Sequence, residues 1–264
     1  MAPIASVRTT ARGVRARWEV LLTLAMAQLK DRFGRGRWQL LKWLLDPWAA
    51  TGVYMVFVAF IVDRGSGNEG MIVACAVIPF QLFLAAILSG LSVVRDRGSL
   101  IQNLAFPREL LPAAVTVTEG VGFAASLTLL PVMMVIYGVG PTVALAWLPV
   151  VLALNLVLAL AGAYIATLFG AWYRELTSFV ISAVRILLFL APGVVALSEI
   201  TGRANDLVRL NPLTGLFEAY RSIFLYGEAP APWELGYPAL FSAVMIAIYV
   251  PLLRSEAPHL AKVV

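Results

Sequence analysis

The sequence predicts an all-α, polytopic membrane protein, and three observations lead to this fold class. Of the 264 residues, 61% are hydrophobic and only 13% are charged. The mean hydropathy is +0.86. The apolar residues are also gathered into long runs, and a helix needs about 20 apolar residues to cross a hydrocarbon core of ~30 Å. We therefore expect residues 1–264 to form a single transmembrane domain.

Six apolar segments are predicted to cross the membrane. They are residues 40–62, 71–94, 110–136, 143–170, 176–198 and 235–253. The third and fourth belong to one apolar run that is too long for a single helix. The sequence YGVGPT at residues 137–142 divides this run, because glycine and proline favour a turn over a helix.

Residues 18–30 are predicted to form a helix that lies in the membrane interface. Glu19, Thr23 and Lys30 fall on one narrow helical face and the rest of the surface is apolar, which is typical of interfacial helices. A first transmembrane span is the alternative, but the charged sequence KDRFGRGR ends the apolar stretch early. The same charges, in place of a small-residue cleavage site, argue against a signal peptide.

The distribution of Lys and Arg predicts that both termini are cytoplasmic. With the N-terminus inside, fifteen of the 20 basic residues fall in cytoplasmic segments, four fall in outside segments, and Arg185 lies within a span. Basic residues are enriched on the cytoplasmic side of membrane proteins. This bias explains the net charge of +5 better than nucleic-acid binding does. The cytoplasmic basic residues would also be attracted to anionic membrane lipid.

Two connecting segments are more apolar than loops normally are. In SLIQNLAFPRELLP, the residues Leu100, Ile101 and Leu104 share one side of a short helix on the cytoplasmic side. This helix either offers its apolar side to a soluble partner or packs as a re-entrant turn on its own spans. The second segment, NPLTGLFEAYRSIFL, has an Asn cap and Pro at the first helical position. We expect a short re-entrant or interfacial helix at the outer leaflet, with VVALSEITG as a second arm.

Small residues recur every four positions in two spans. Gly162, Ala166 and Gly170 do so in the fourth span, and Ala86 and Gly90 in the second. This spacing lets helices approach closely, so it predicts a compact bundle and gives no information about a substrate.

The sequence offers little catalytic chemistry. There is one cysteine, Cys75, and one histidine, His259, which leaves no set of residues for a metal site or a His-containing triad. A glycine-rich phosphate loop is also missing. Glu119 and Arg185 are the charges placed most clearly inside apolar segments, and intramembrane charges often pair. We hypothesise that these two pair; the alternative is that each snorkels or binds a backbone carbonyl.

Aromatic residues are concentrated in the first span and around the start of the fifth. Those of interest are Trp48, Tyr54, Phe57, Trp172, Tyr173 and Phe179. Core packing and interfacial anchoring explain most such residues. The alternative is a conduit whose aromatic faces stack on sugar rings.

Four stretches together resemble one family of membrane proteins. LKDRFGRGRWQLLKWLLDPWAATGVYMVFVAFI is similar to its polar interfacial opening, and RDRGSLIQNLAFPRELLP to its charged loop with Phe-Pro-Arg-Glu. WYRELTSFV is similar to its step before the fifth span, and LNPLTGLFEAYRSIFLYGEAPAP to its Asn-Pro helix. The family is the membrane subunit of bacterial ATP-binding-cassette exporters for lipid-linked polysaccharides, which include O-antigen, teichoic acid and galactan. One departure is FGRGRWQ, where the family often has Ser-x-Leu-Gly.

The resemblance implies a homodimeric channel in the bacterial inner membrane, driven by two copies of a separate cytoplasmic ATPase that binds ATP and Mg. Residues 97–109 would be the coupling helix, and residues 199–227 would form extracytoplasmic gate helices. The implied coupling residues are Leu100, Ile101, Leu104, Phe106, Pro107, Arg108 and Glu109. The implied gate residues are Asn211, Pro212, Phe217, Tyr220 and Arg221. The head group of the polyprenyl-pyrophosphate substrate would meet Lys30, Arg32, Arg35 and Arg37, since Arg and Lys bind phosphate; the alternative for these four is the cytoplasmic charge bias alone.

Three other functions compete with glycan export. An exporter of drugs or lipids shares the same architecture, and fold does not fix substrate. A membrane transferase would need clustered acids or a histidine near one interface. A secondary transporter would show inverted repeats, and the sequence shows no convincing internal repeat.

Overall fold

The computed structural model describes residues 4–33, 45, 48–49, 52–53, 69–98, 107–193 and 195–263. Every regular element in these ranges is helical and none is a strand. The nine α-helices among the described residues are α1 (Ile4–Phe33), α2 (Glu69–Asp96), α3 (Leu110–Leu127), α4 (Leu129–Ile136), α5 (Leu148–Trp172), α6 (Thr177–Leu190), α7 (Arg203–Arg209), α8 (Pro212–Arg221) and α9 (Pro232–Val263). A π-helix, Ser222–Tyr226, continues α8.

Four of these elements are long and apolar enough to cross a membrane. They are Glu69–Asp96, Leu110–Ile136, Val143–Trp172 and Pro232–Glu256, and they correspond to the predicted second, third, fourth and last spans. The predicted first span, residues 40–62, falls almost entirely outside the described residues. Residues 18–30 are helical, as predicted, but they belong to the longer helix α1. Their position in the interface stays a prediction.

The predicted fifth span, residues 176–198, is wrong as a continuous helix. Helix α6 has 14 residues, which is about 21 Å at 1.5 Å per residue and shorter than a hydrocarbon core of ~30 Å. The chain leaves the helix at Ala191, whose N–H still bonds to Leu187 O at 2.8 Å, and Pro192 and Gly193 follow. Proline and glycine end helices, which explains why high hydropathy does not prolong α6.

The third span is interrupted between α3 and α4. Pro131 has no N–H to give to the carbonyl of Leu127, and its ring crowds the preceding turn. Thr128 donates its hydroxyl to Ala125 O at 2.6 Å at this point. The predicted turn at residues 137–142 is confirmed, with Gly138 at φ 67°, a left-handed conformation that glycine adopts readily.

Helix α2 is the centre of the bundle. In its most apolar stretch of 18 residues, 78% are buried, and α5 is its most extensive neighbour. The small residues predicted to allow close approach lie in this contact: Gly170 faces the backbone of Leu91, and a Cβ on Gly90 would lie 2.9 Å from Ala163 O. A side chain at either glycine would push the two backbones apart.

The two ends of the bundle differ in character. The basic end carries Arg95, Arg97, Arg108 and Arg254, and there Leu253 of α9 packs against Val93 and Leu111. The α8 end is the opposite one, where α2 begins and α8 is buried among α2, α5 and α9. In α9 only 11% of the most apolar stretch of 18 residues is buried, so this stretch has an apolar surface on the outside of the chain.

Candidate functional site

Helix α8 begins as its sequence predicts. The side chain of Asn211 accepts a hydrogen bond from Leu213 N at 3.1 Å, and Pro212 occupies the first helical position. An Asn cap satisfies one of the backbone N–H groups that a helix start leaves without a partner. Of the predicted second arm, VVALSEITG, only Leu197–Glu199 forms a short 3₁₀ turn, and α7 follows it.

Helix α8 is enclosed by the bundle rather than lying on its surface. All of its residues from Leu213 to Arg221 are buried, and Phe217 and Tyr220 have no exposed surface. Whether this helix is re-entrant or interfacial stays a prediction, because its burial against other helices does not locate it in the bilayer.

Arg221 is the largest fully buried side chain among the described residues, and it bonds to three segments. Its Nη1 lies 2.5 Å from Glu218 Oε1 in a salt bridge on α8. Its Nη2 donates to Pro192 O at 2.7 Å and to Gly193 O at 3.4 Å. Both Nε and Nη2 lie 3.3 Å from Ile72 O in the first turns of α2. We name Arg221 and Glu218 the α8 clasp.

Arg221 of the clasp donates to backbone carbonyls near the end of a helix, where the chain itself supplies no donor. Helix α6 ends just before Pro192, and the last carbonyls of a helix have no partner within it. A cation at that end also meets the negative end of the helix dipole. Glu218 Oε1 in turn accepts a hydrogen bond from Leu197 N at 3.2 Å. One buried ion pair therefore joins α8 to α2, to the end of α6 and to the segment before α7.

Sequence reasoning placed Arg221 in the gate but did not predict its burial. The positive-inside analysis grouped it with the outside segments, as though water surrounded it. Glu218 three positions earlier was the available signal, because residues at i and i+3 face each other on a helix. Every other residue of α8 and the π-helix near this pair is apolar or small, except Thr214 and Ser222.

Two further contacts tie this region to the spans. Asn155, buried in the middle of α5, donates from Nδ2 to Tyr220 Oη at 3.3 Å, and the ring of Tyr220 stacks on Phe224 with centroids 6.3 Å apart. Ser222 donates to Glu234 Oε2 at 3.0 Å in the first turn of α9. Short π-helices are frequent at functional sites, and this one lies between the clasp and α9.

At the basic end, Glu109, the last residue of the predicted coupling segment, is bonded to α5 and α9. We call these two contacts the basic-end tether. Glu109 Oε1 accepts from Arg254 Nε of α9 at 3.1 Å, and Tyr164 of α5 donates its hydroxyl to Glu109 O at 2.9 Å. Pro107, Arg108 and Glu109 form a turn rather than a helix. Leu100, Ile101, Leu104 and Phe106 lie outside the described residues.

The two predicted intramembrane charges are not brought together. Glu119 is buried, and its Oε1 accepts from Ser89 Oγ of α2 at 2.6 Å. Arg185 is exposed on α6, and the salt bridges between described residues do not include this pair. The sequence missed Ser89 because a serine in an apolar helix gives no signal of its partner.

Most of the predicted aromatic residues that are described, and Lys30, lie on the outside of the chain. The rings of Trp172, the last residue of α5, and of Tyr173 meet edge to face, with their centroids 6.4 Å apart. Phe179 on α6 is 73% exposed. Trp48 is half-buried against the core. Lys30 is exposed on α1, where Arg32 also lies. Tyr54, Phe57, Arg35 and Arg37 fall outside the described residues.

The chain has relatives among curated proteins, although no protein-family model matches it. It is 27% identical over 246 residues to the O-antigen export system permease protein RfbA of Myxococcus xanthus, which covers 92% of this chain and 94% of that protein. Two proteins of the same name from Klebsiella pneumoniae are 19% and 18% identical over 211 residues, or 80% of this chain and 82% of each relative.

The chain is a homologue of these O-antigen export permeases. Homology to permeases, together with the four long apolar helices, identifies a multi-pass membrane protein.

Proposed function

We propose that the chain is the membrane subunit of an ATP-driven exporter that moves a polyprenyl-pyrophosphate-linked polysaccharide across the bacterial inner membrane. The observation that carries this proposal is the name shared by the relatives, with the alignment extending over 92% of the chain at 27% identity. The aromatic residues at the end of α5 and on α6 support a carbohydrate cargo, because aromatic faces suit the C–H faces of sugars.

In this proposal two copies of the chain enclose the route, and two copies of a separate ATPase bind ATP and Mg on the cytoplasmic side. Both termini are cytoplasmic, so the basic end faces the ATPase. Trp172, Tyr173 and Phe179 are exposed, so their side chains are open to contact with a second copy and with the cargo.

Helix α2 supplies a mechanical link between the two ends. Its 28 residues span about 42 Å at 1.5 Å per residue. It starts beside the α8 clasp, where Ile72 O accepts from Arg221, and it ends directly before the segment proposed to dock on the ATPase. In this mechanism, movement of that segment displaces α2. The displacement of α2 then moves α8, and α8 opens or closes the exit.

Depleting the chain from its host tests the proposed cargo. We expect lipid-linked polymer to accumulate in the cytoplasmic leaflet, because synthesis continues while export stops, and mass spectrometry of extracted lipids measures it. A strain with an ATPase subunit that cannot hydrolyse ATP should accumulate the same polymer. An unchanged lipid-linked pool combined with greater sensitivity to small toxic compounds would favour the alternative, an exporter of drugs or lipids.

Replacing Glu109 by Ala is expected to reduce export more than it reduces stability. A partly exposed ion pair such as Glu109–Arg254 contributes about 1 kcal/mol or less to stability, but it holds the end of the proposed coupling segment on α9. Export and ATP hydrolysis by the reconstituted complex measure the effect: hydrolysis should persist while export falls.

Two variants make this test specific. Arg254→Ala should have the same effect as Glu109→Ala, and the double variant should be no worse than either, because each change removes the same contact. Asp206→Ala, an exposed acid at the α8 end, is the matched control. Equal losses of hydrolysis and export in Glu109→Ala would contradict a role in coupling.

A further inference from the structure

An apolar cavity lies at the α8 end, between α4, the start of α5 and the π-helix. Its volume is about 330 Å³, and all ten of the described side chains that line it are apolar. Apolar cavities of about half this volume exclude water and bind apolar molecules such as benzene. A hydrocarbon in this cavity would gain dispersion contacts with the lining. The cavity is therefore suited to an apolar ligand.

Two prolines explain why a cavity forms at this place. Pro131 interrupts the third span between α3 and α4, because proline lacks an N–H and crowds the preceding turn. Pro141 belongs to the turn that leads into a short 3₁₀ helix, Val143–Trp147. Both prolines line the cavity, together with Leu145 of the 3₁₀ helix. The chain between α4 and α5 thus passes along the wall of the cavity.

The cavity has a buried floor and an open mouth. Leu130 has no exposed surface, and Met134 and Phe224 are 7% and 2% exposed, so these three residues form the floor. Val135, which is 82% exposed, and Pro141, which is also exposed, lie at the mouth. A ligand that enters through the mouth can reach side chains that are closed to contact from the outer surface.

The mouth lies on the apolar outer surface of two candidate membrane spans. Val135 belongs to Leu110–Ile136, and Val143, 91% exposed, is the first residue of Val143–Trp172. The 27 residues of Leu110–Ile136 extend over about 40 Å at 1.5 Å per residue, about 5 Å more at each end than a hydrocarbon core of ~30 Å. Leu130 is six residues, or about 9 Å, from the end of this span, which places the floor within the hydrocarbon core.

We propose that the cavity binds one acyl chain of a bilayer phospholipid. The acyl chains of the bilayer are the apolar molecules that surround a mouth at this depth. They are as apolar as leucine, which matches the described lining. The phospholipid head group would stay outside, because this lining offers it no polar side chain.

A second copy of the chain is the other source of apolar groups at the mouth. The exposed residues proposed to contact that copy include Trp172, the last residue of α5. Leu148, which lines the cavity, is the first residue of the same helix. The two lie about 36 Å apart along α5 at 1.5 Å per residue. The surface proposed for the second copy is thus at the opposite end of α5, and lipid is the occupant that the geometry favours.

The bound acyl chain would contact the gate region through one aromatic ring. Phe224 lines the cavity and belongs to the π-helix that continues α8. Its ring stacks on that of Tyr220 in α8, with the centroids 6.3 Å apart. The acyl chain would therefore pack against the residues that hold the end of α8. This site does not depend on the cargo and goes beyond the proposed export function.

Photocrosslinking tests the site without any measurement of export. The purified full chain is placed in nanodiscs of phosphatidylethanolamine with a trace of the same lipid that carries a diazirine at the end of one acyl chain. After irradiation, peptide mass spectrometry locates the adducts. We expect adducts on Phe224, Leu130 or Met134, whose burial keeps them from lipid on the outer surface. Leu240, which is 64% exposed on α9, is the reference for surface lipid.

A side chain that fills the cavity should remove the floor adducts. Leu145→Trp adds an indole to the lining, so labelling of Phe224 is expected to fall to the level seen without irradiation, while surface positions on α9 stay labelled. Leu240→Trp is the matched control and should leave the labelling of Phe224 unchanged. Leu148→Phe is a smaller change in the same lining, and its partial loss of labelling is the test if Leu145→Trp fails to fold.

Three results would overturn the proposal. The first is labelling of Leu240 with no adduct on the floor residues. The second is floor adducts that persist in Leu145→Trp. The third is a disulfide between two copies that carry Val135→Cys, which would show a second copy at the mouth instead of lipid. The export proposal is tested separately by the lipid-linked pool on depletion, so either proposal can fail without the other.

Discussion

Replacing Arg221 by Met is expected to destabilise the protein by about 3–5 kcal/mol, the usual cost of removing one partner of a buried ion pair. The substitution leaves Glu218 charged without its guanidinium, and it frees the carbonyls of Ile72 and Pro192 from their donor. Unfolding of the purified chain in mixed detergent micelles, followed by circular dichroism, measures the loss.

The partner of Arg221 provides the internal test. Glu218→Gln with Arg221→Met removes both charges, so the double variant should be more stable than the sum of the two single losses predicts. Arg221→Lys keeps the charge but not the planar fork of donors, and it should fall between the wild type and Arg221→Met. Arg203→Met, on the exposed surface of α7, is the matched control. A loss in Arg221→Met no larger than in that control would show that the clasp does not hold α8.

Replacing Gly170 by Ala is expected to destabilise the α2–α5 contact by about 1–3 kcal/mol, the typical cost of overpacking, and more if the helices cannot move apart. The new Cβ would overlap the carbonyl group of Leu91. Backbone atoms cannot turn away as a flexible side chain can, so the whole helix must shift. The same unfolding measurement applies.

Gly236→Ala is the control for this change. Gly236 lies in α9, and a Cβ there meets nothing within 4 Å. Alanine should stabilise that helix by up to about 1 kcal/mol, because glycine is the poorer helix former. The two Gly→Ala changes are thus expected to have opposite signs. If both variants were stabilised, the close approach of α2 and α5 would be contradicted.

Local signals in the sequence predicted much of the fold. Asn211 and Pro212 predicted the start of α8 because capping depends on a few adjacent residues. Residues 137–142 predicted the turn after α4 for the same reason. The spacing of small residues predicted a compact bundle, although it did not show that α2 and α5 would meet.

Long-range contacts account for what the sequence did not predict. Hydropathy averaged over residues 176–198 masked the effect of Pro192 and Gly193, so α6 was predicted too long. Arg221 was grouped with charges outside the membrane because its acceptors, Ile72 O and Pro192 O, are 149 and 29 residues away along the chain. The contact of Glu119 with Ser89 crosses 30 residues. Such partners are set by packing and leave no local pattern.

The central position of α2 has a consequence for the order of biosynthesis. Helix α2 leaves the ribosome about 80 residues before the part of α5 that carries Gly162 and Gly170, yet α5 is its most extensive neighbour. Helices insert individually before they associate in the bilayer, so the glycine face of α2 is without its α5 contact until α5 has been synthesised. Lipid covers this face until then, and the contact of Arg221 with Ile72 O forms later still, because Arg221 follows α5 in the chain.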